Sequence, residues 1–170
     1  MSLSGRIALV TGGGRGIGAS IALGLAEDGA DVAIFYRRDT DAAAATVAKI
    51  EAMGRRARAY AAPVEDFDAC RDAVAAIGRD LGPIGILVNN AGIASRGRAV
   101  ADTDPAEMER VVRVHAFGPF YLSHLVVPMM RTLPRGDIIM ISSIATKRMS
   151  ANGAPYNMGK AALEALSSTL

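Results

Sequence analysis

Five short apolar runs, each followed by a longer stretch with helical spacing, constrain this chain more than any other feature. Residues 6–11 (RIALVT), 31–36 (DVAIFY), 58–62, 84–89 (IGILVN) and 137–142 (DIIMIS) read as strands. Helices are predicted over residues 16–28, 40–53, 66–80 and 104–131, and from residue 155 to the last residue. The first places Ile17, Ile21, Ala22, Leu25 and Ala26 on one face. Gly29 and Gly54 close the first two helices, and Asp66 caps the third. Asp104 and Pro105 open the long fourth helix as N-cap and N1, and Pro128 is expected to kink or end it. Strict alternation of strand and helix implies an α/β, doubly wound parallel sheet covered by helices on both faces, with right-handed crossovers.

At 170 residues and 51% hydrophobic, the chain suits one domain spanning 1–170. The net charge is only +2, and Arg37-Arg38 and Arg55-Arg56 are pairs rather than runs. No nucleic-acid partner is therefore expected. No metal site is expected either. The single cysteine, Cys70, falls in a helical pattern with Val74 and Ile77 and reads as a buried, inert thiol. Residues 1–6 (MSLSGR) lack an apolar leader core, and no stretch approaches the roughly 18 apolar residues of a membrane span. A soluble cytoplasmic protein is the expectation.

Residues 11–18 (TGGGRGIG) join the first strand to the first helix. A helix N-terminus offers unpaired N–H groups and partial positive charge, which suit a pyrophosphate. Side chains there would hold the phosphates away, hence Gly12, Gly14 and Gly16, with Ile17 following; Gly18 lets the helix pack closely. No Gly-Lys-Ser/Thr follows, so this is not a Walker A loop. An acidic residue at the end of the second strand would bind the free ribose hydroxyl of NAD. Tyr36, Arg37 and Arg38 stand there instead, and Arg15 lies in the glycine turn. Guanidinium groups suit a 2′-phosphate, so NADP(H) is favoured over NAD(H). The competing reading is that all three arginines are solvated surface charges.

Tyr156 and Lys160 are spaced i, i+4 on one face of the last helix. An ammonium one turn away favours phenolate, and such a phenol can exchange a proton with a carbonyl oxygen as hydride moves at carbon. Ser143 follows the fifth strand, at the carboxyl edge where such sheets place ligands. Alone, the Tyr-x-x-x-Lys pair would read as solvated helix surface.

Four motifs in order carry a resemblance that spans essentially the whole chain. They are residues 11–18, Asn89-Asn90-Ala91-Gly92, Ile141-Ser142-Ser143 and Tyr156-Asn157-Met158-Gly159-Lys160. The chain resembles the short-chain dehydrogenase/reductases, and in look their β-ketoacyl-acyl-carrier-protein reductase branch, which implies a Rossmann-like sheet with strand order 3-2-1-4-5. The resemblance implies that Ser143 positions the substrate carbonyl and Tyr156 is the catalytic acid or base. It implies that Lys160 holds the nicotinamide ribose, that Asn90, Ala91 and Gly92 line the cofactor, and that Asn89 braces the sheet. Arg37 after Tyr36 matches the family's NADP-preferring pattern.

Three departures stand out. His115, in Val114-His115-Ala116-Phe117-Gly118, replaces the asparagine that bends the family's long helix and holds a relay water. A histidine can hold a water or itself pass a proton; a packing substitution is the alternative. His124 has no motif context and reads as surface or core. Pro63 replaces an acidic residue that binds adenine, leaving backbone groups such as the Val64 N–H to serve. The resemblance also implies further strands, a helix and a substrate-covering loop beyond Leu170, so the expectation is a chain truncated after the catalytic helix.

Apolar residues surround much of the long helix, including Val111, Val112, Phe117, Phe120, Tyr121, Leu125 and Met129. That excess, with the resemblance, implies a homodimer or homotetramer through the 104–131 and 155–170 helices. Arg96, Arg98, Lys147 and Arg148 flank the expected pocket mouth and would suit an anionic substrate. Three functions remain open at this point. They are NADPH-dependent reduction of a carbonyl, possible substrates including a β-ketoacyl thioester or another small molecule; an NAD-dependent alcohol or sugar dehydrogenase; and a non-catalytic nucleotide-binding sensor or scaffold.

Overall fold

The computed structural model describes residues 3–170. Met1 and Ser2, part of the N-terminal stretch considered above for a leader, lie outside the described residues. Five parallel strands among the described residues form one sheet in the order β3-β2-β1-β4-β5. They are β1 (Ile7–Thr11), β2 (Asp31–Tyr36), β3 (Ala57–Ala61), β4 (Ile84–Asn89) and β5 (Asp137–Met140). Helices α1 (Gly16–Glu27), α2 (Thr40–Ala52) and α3 (Phe67–Asp80) connect the first four strands. The β4–β5 crossover carries α4 (Pro105–Val112), a π-helical turn (Arg113–Phe117) and α5 (Gly118–Met130). Helix α6 (Ala154–Ser167) follows β5. The expected order 3-2-1-4-5 is the order found.

Strand alternation explains why the apolar runs are unbroken. Leu9, Phe35 and Leu87 point into a core shared with α3 and α5. Their neighbours Val10, Ile34 and Val88 point into a second core that contains Ala22 and Ala26 of α1 and Ala43 and Ile50 of α2. A parallel sheet covered on both faces needs apolar residues at every position.

Several boundaries differ from the expectation. The last strand ends at Met140, so Ser142 lies with Ser143 in the following loop rather than on the strand. Helix α6 ends at Ser167, short of the last residue. The long helix is not uniform, because it loosens into a π turn at Arg113–Phe117, which contains His115. Pro128 lies inside the helix rather than at its end, and α5 runs on to Met130. The Asp104 cap is as expected, its carboxylate accepting from the Ala106 N–H at 2.9 Å.

Charge is used at the amino end of the sheet. The Arg6 guanidinium lies 2.7 Å from Asp137 and donates to the Gly85 carbonyl at 2.8 Å. Asp31 accepts from the Arg56 Nε at 2.7 Å and from the Arg56 backbone N–H at 2.9 Å. Burial raises the Asp31 carboxyl, but the Arg56 bonds and charge outweigh it and hold the group below its ordinary range. These pairs lock strand entry points and leave the carboxyl ends clear.

At those carboxyl ends the glycine turn is packed to the limit. A Cβ on Gly18 would sit 2.2 Å from the Gly12 carbonyl oxygen and 2.5 Å from Asn90 Nδ2. A Cβ on Gly13 would sit 2.6 Å from Ile34 Cγ2, a constraint not anticipated from the sequence. Gly18→Ala should destabilise the fold by about 1–3 kcal/mol through overpacking, measured by denaturant unfolding, whereas Gly24→Ala, with nothing within 4 Å of its Cβ, should not.

Candidate active site

Two cavities open along the carboxyl edge of the sheet, of about 650 Å³ and 770 Å³. Ile17, Asn90, Gly92 and Ile93 line both, so they form one continuous trough. The first contains every expected cofactor position outside the tyrosine helix: Gly12, Gly14, Arg15, Gly16, Ile17, Tyr36, Arg37, Arg38, Val64, Asn90, Ala91 and Gly92.

The turn's conformation follows from its glycines. Gly12 and Gly16 have φ of +64° and +56°, the left-handed region. Arg15, at the N-cap of α1, makes no side-chain capping bond, and the first turn contains no acidic residue. That helix end therefore keeps N–H donors and positive potential facing the cavity. The cradle is fixed from β4. Asn90 Nδ2 donates to the Thr11 carbonyl at 2.8 Å, and the Thr11 hydroxyl accepts from the Asn90 and Ala91 N–H groups, each at 2.9 Å. Asn89 lies against the sheet instead, its Nδ2 3.3 Å from Met140 Sδ.

At the far end of this cavity Arg37 pairs with Glu65 at 3.2 Å. Glu65 was not singled out from sequence, though it stands two residues after Pro63. Val64 lines the cavity and is buried against Gly118, where a Cβ would come within 2.9 Å of it.

The second cavity brings together His115, Ser142, Tyr156 and Lys160. Lys160 is buried and donates from Nζ to the Ile141 carbonyl at 2.5 Å, and lies 5.9 Å from the centroid of the Tyr156 ring. Burial lowers the Lys160 ammonium from its ordinary range. Ser143 does not line this cavity: its Oγ accepts from the Ala145 N–H at 3.2 Å, capping the short turn Ile144–Thr146. Its neighbour Ser142 lines the wall, with Oγ bonded to Glu164 at 2.6 Å. Two of the four cations expected at the mouth are already paired, Arg96 with Glu107 at 3.7 Å and Lys147 with Glu164 at 3.4 Å. That reduces the positive field available to an anionic substrate.

His115 is buried edge-on to Tyr156, with ring centroids 5.1 Å apart. Its Nε2 lies 2.8 Å from the Ile93 carbonyl and 3.2 Å from the Ile93 N–H. The shorter contact assigns the proton to Nε2. Nδ1 is buried without a hydrogen-bond partner among the described residues. Burial drives the imidazole pKa down, the bond to Ile93 opposes this, and the Lys160 charge adds to the lowering. Cys70 is buried as expected, and burial pushes its thiol up to about 12. His124 is on the surface, stacked on Phe120. Among the described residues no group of three or more His, Cys, Asp or Glu could hold a metal, and no helix is long and apolar enough to cross a membrane.

Residues 6–170 match the family described as short chain dehydrogenase. The chain belongs to that family. It is 39% identical to an acetoacetyl-CoA reductase of Paracoccus denitrificans over 92% of its own length and 62% of the relative's. A short chain dehydrogenase from Burkholderia cenocepacia in complex with NADP superposes with a TM-score of 0.91 at 40% identity, over 99% of this chain and 68% of that one. An NAD⁺-bound xylitol dehydrogenase superposes with a TM-score of 0.94 at 32% identity, over 99% and 65% respectively. The chain thus spans less than two thirds of the length of such curated relatives, 64% for the first two compared.

A neutral buried histidine has a stability signature. Its folded pKa lies below the unfolded value, so the native state resists the proton that the unfolded state accepts near pH ~6.5. Its contribution is present above that pH and is lost as pH falls toward the folded pKa. Asp31, Asp137 and Glu164, all held below the ordinary carboxylate range, act at more acidic pH. His115→Asn should flatten the loss of unfolding free energy as pH falls below about 6.5, measured by urea unfolding over a pH series.

Proposed function

We propose that this short-chain dehydrogenase is an NADPH-dependent oxidoreductase that reduces a carbonyl to an alcohol, a β-ketoacyl thioester being one candidate substrate. The supporting observation is the single trough that joins the uncapped α1 N-terminus, with Arg15, Arg37 and Arg38 at its ribose end, to Tyr156 and Lys160. The residues present fit a dinucleotide: a Cβ on Gly18 would intrude on the turn, and the helix end offers unpaired donors. Gly12, Gly14, Gly16, Ile17, Asn90, Ala91 and Gly92 would hold it, and it would supply the hydride. The likeness to an acetoacetyl-CoA reductase and to an NADP complex supports the same reading.

The protein's own part is proton delivery. Tyr156 donates its phenolic proton to the carbonyl oxygen as that oxygen gains charge. Lys160, 5.9 Å from the ring, favours the resulting phenolate. Ser143 stands between Ser142 and Ala145, both of which line the cavity, and from there its hydroxyl would hold the same oxygen. A hydroxyl that accepts from a backbone N–H, as Ser143 does from Ala145, keeps its own proton for donation. His115 returns a proton toward this pair or orders a water that does, and its unpartnered Nδ1 supports that role. Unchanged turnover and an unchanged pH–rate profile in His115→Asn would leave His115 a packing residue.

A second reading, an NAD-dependent alcohol or sugar dehydrogenase, has one observation in its favour. Glu65 at 3.2 Å neutralises Arg37, the arginine expected to meet a 2′-phosphate. The NAD⁺-bound xylitol dehydrogenase neighbour is consistent with it. A homodimer or homotetramer through the long helix and α6 is also proposed, because Phe117, Phe120 and Met158 are 44%, 54% and 55% exposed. Sedimentation should show Phe120→Glu at a smaller mass than the parent.

Cofactor titration and a carbonyl-substrate panel on the full protein test the main reading. Tyr156→Phe should lose about 10²–10⁴-fold in kcat with cofactor Kd unchanged. Arg37→Ala should raise the Kd of NADPH by roughly tenfold, the scale of one charge-assisted phosphate contact, and leave that of NADH within twofold. Tighter binding of NADH than NADPH by the parent would select the second reading, and binding without turnover on any carbonyl would select a sensor or scaffold.

A further inference from the structure

One side-chain cluster lies outside the trough yet touches the loop that carries Ser143. Tyr156, Lys160 and Glu164 follow one another at i, i+4 and i+8 on α6, so they share a helix face. The first two line the cavity, and Glu164 sits one turn further on. Its Oε1 accepts from the Ser142 hydroxyl at 2.6 Å and from the Thr146 hydroxyl at 2.8 Å; its Oε2 lies 3.4 Å from Lys147 Nζ. The two hydroxyls flank Ser143 on either side. Thr146 is also bound to Ser143 itself, its N–H and hydroxyl reaching the Ser143 carbonyl at 3.1 Å and 2.9 Å. Before this segment the chain is pinned to the sheet, the Ile141 N–H donating to the Asn89 carbonyl at 3.0 Å. After it, residues 147–152 form an exposed stretch, anchored by Asn157 Nδ2 donating to the Ser150 carbonyl at 3.0 Å.

We propose that Glu164 is a positioning residue: its carboxylate clamps Ser142 and Thr146 to α6 and so fixes Ser143 relative to Tyr156. This rests on the reading of Ser143 and Tyr156 as the groups that meet the carbonyl. The hydroxyl bonds carry the clamp. Lys147 is 71% exposed, and an ion pair so open to water contributes little. A charged acceptor makes the shorter and stronger hydrogen bonds, and no other helix-borne carboxylate contacts these hydroxyls among the described residues. Without it, Ser143 would be held by its own short turn and by the Lys160 bond to the Ile141 carbonyl two residues earlier, with no bond tying the turn itself to α6. A displacement of about 1 Å between groups that act together can cost on the order of 100-fold in rate.

The experiment uses Glu164→Ala and Glu164→Gln in the full protein, with three readouts: steady-state kinetics, cofactor Kd by titration, and amide exchange of residues 142–148. Glu164→Ala should lower kcat by about 30- to 100-fold, leave cofactor Kd within twofold, and speed exchange in 142–148 at least tenfold. Glu164→Gln, which keeps a carbonyl acceptor for both hydroxyls, should recover most of the rate and the protection. Unchanged exchange in Glu164→Ala overturns the clamp; faster exchange with kcat within twofold overturns its role in positioning. If Glu164→Ala does not fold, Thr146→Val, which removes one of the two bonds, takes its place with the same outcomes at smaller amplitude. If the parent turns over no carbonyl substrate, the proposed function fails and the exchange measurement alone decides the clamp.

Discussion

The Thr11 hydroxyl is the joint on which the rest of the site depends. It is buried at the end of β1, donates to the Val88 carbonyl at 3.3 Å, and accepts from the N–H groups of Asn90 and Ala91. Parallel strands diverge beyond their last ladder bond, and the groups exposed there would otherwise need water. One side chain closes that gap and ties the glycine turn to the end of β4. Asn90 completes the tie by bonding the Thr11 carbonyl, and Gly18 brings α1 in against the same turn. The floor of the trough is therefore made rigid by two polar side chains and the absence of one Cβ.

The sheet divides its labour by end. Ion pairs gather where the strands begin, with Arg6 against Asp137 and Arg56 against Asp31. The carboxyl ends instead carry glycine, amide and hydroxyl groups, which bind by direction rather than by net charge. Ligand sites at the carboxyl edge are a property of open α/β sheets. Here that edge also keeps charge where it can be used, in Arg15 and Arg37 at one end and Lys160 at the other.

Legibility from the residues followed periodicity and local chemistry. Unbroken apolar runs showed the buried parallel strands, and Gly12 through Gly18 showed the cradle, because both effects act within a few residues. Glu65 and Glu164 were invisible for the opposite reason. Each matters through a partner distant in sequence, Arg37 and Ser142, and an isolated glutamate carries no signal of its own. Ser142 was read only as the motif neighbour of Ser143, yet it lines the wall, while Ser143 beside it accepts from the Ala145 N–H and caps a turn. β5 stops two residues earlier than expected, which puts both serines in a loop whose course the residue pattern does not fix. The π turn was missed too, since its apolar residues fit an ordinary helix as well.

His115 shows how one side chain depends on what its neighbours lack. A Cβ at Gly92 would lie 2.7 Å from its Cε1, and a Cβ at Gly159 would lie 2.8 Å from its Cβ. The imidazole thus fits only because both neighbours lack side chains, one in the cofactor turn after β4 and one between Tyr156 and Lys160. Widening the helix into a π turn at Arg113–Phe117 places the ring between them. A side chain present for packing alone would be satisfied by any apolar group of similar volume. This one has a bond to Ile93 on one nitrogen and an unmet buried atom on the other. Its place edge-on to Tyr156, in the cavity that Lys160 also lines, is the geometry on which the proposed proton-handling role of His115 rests.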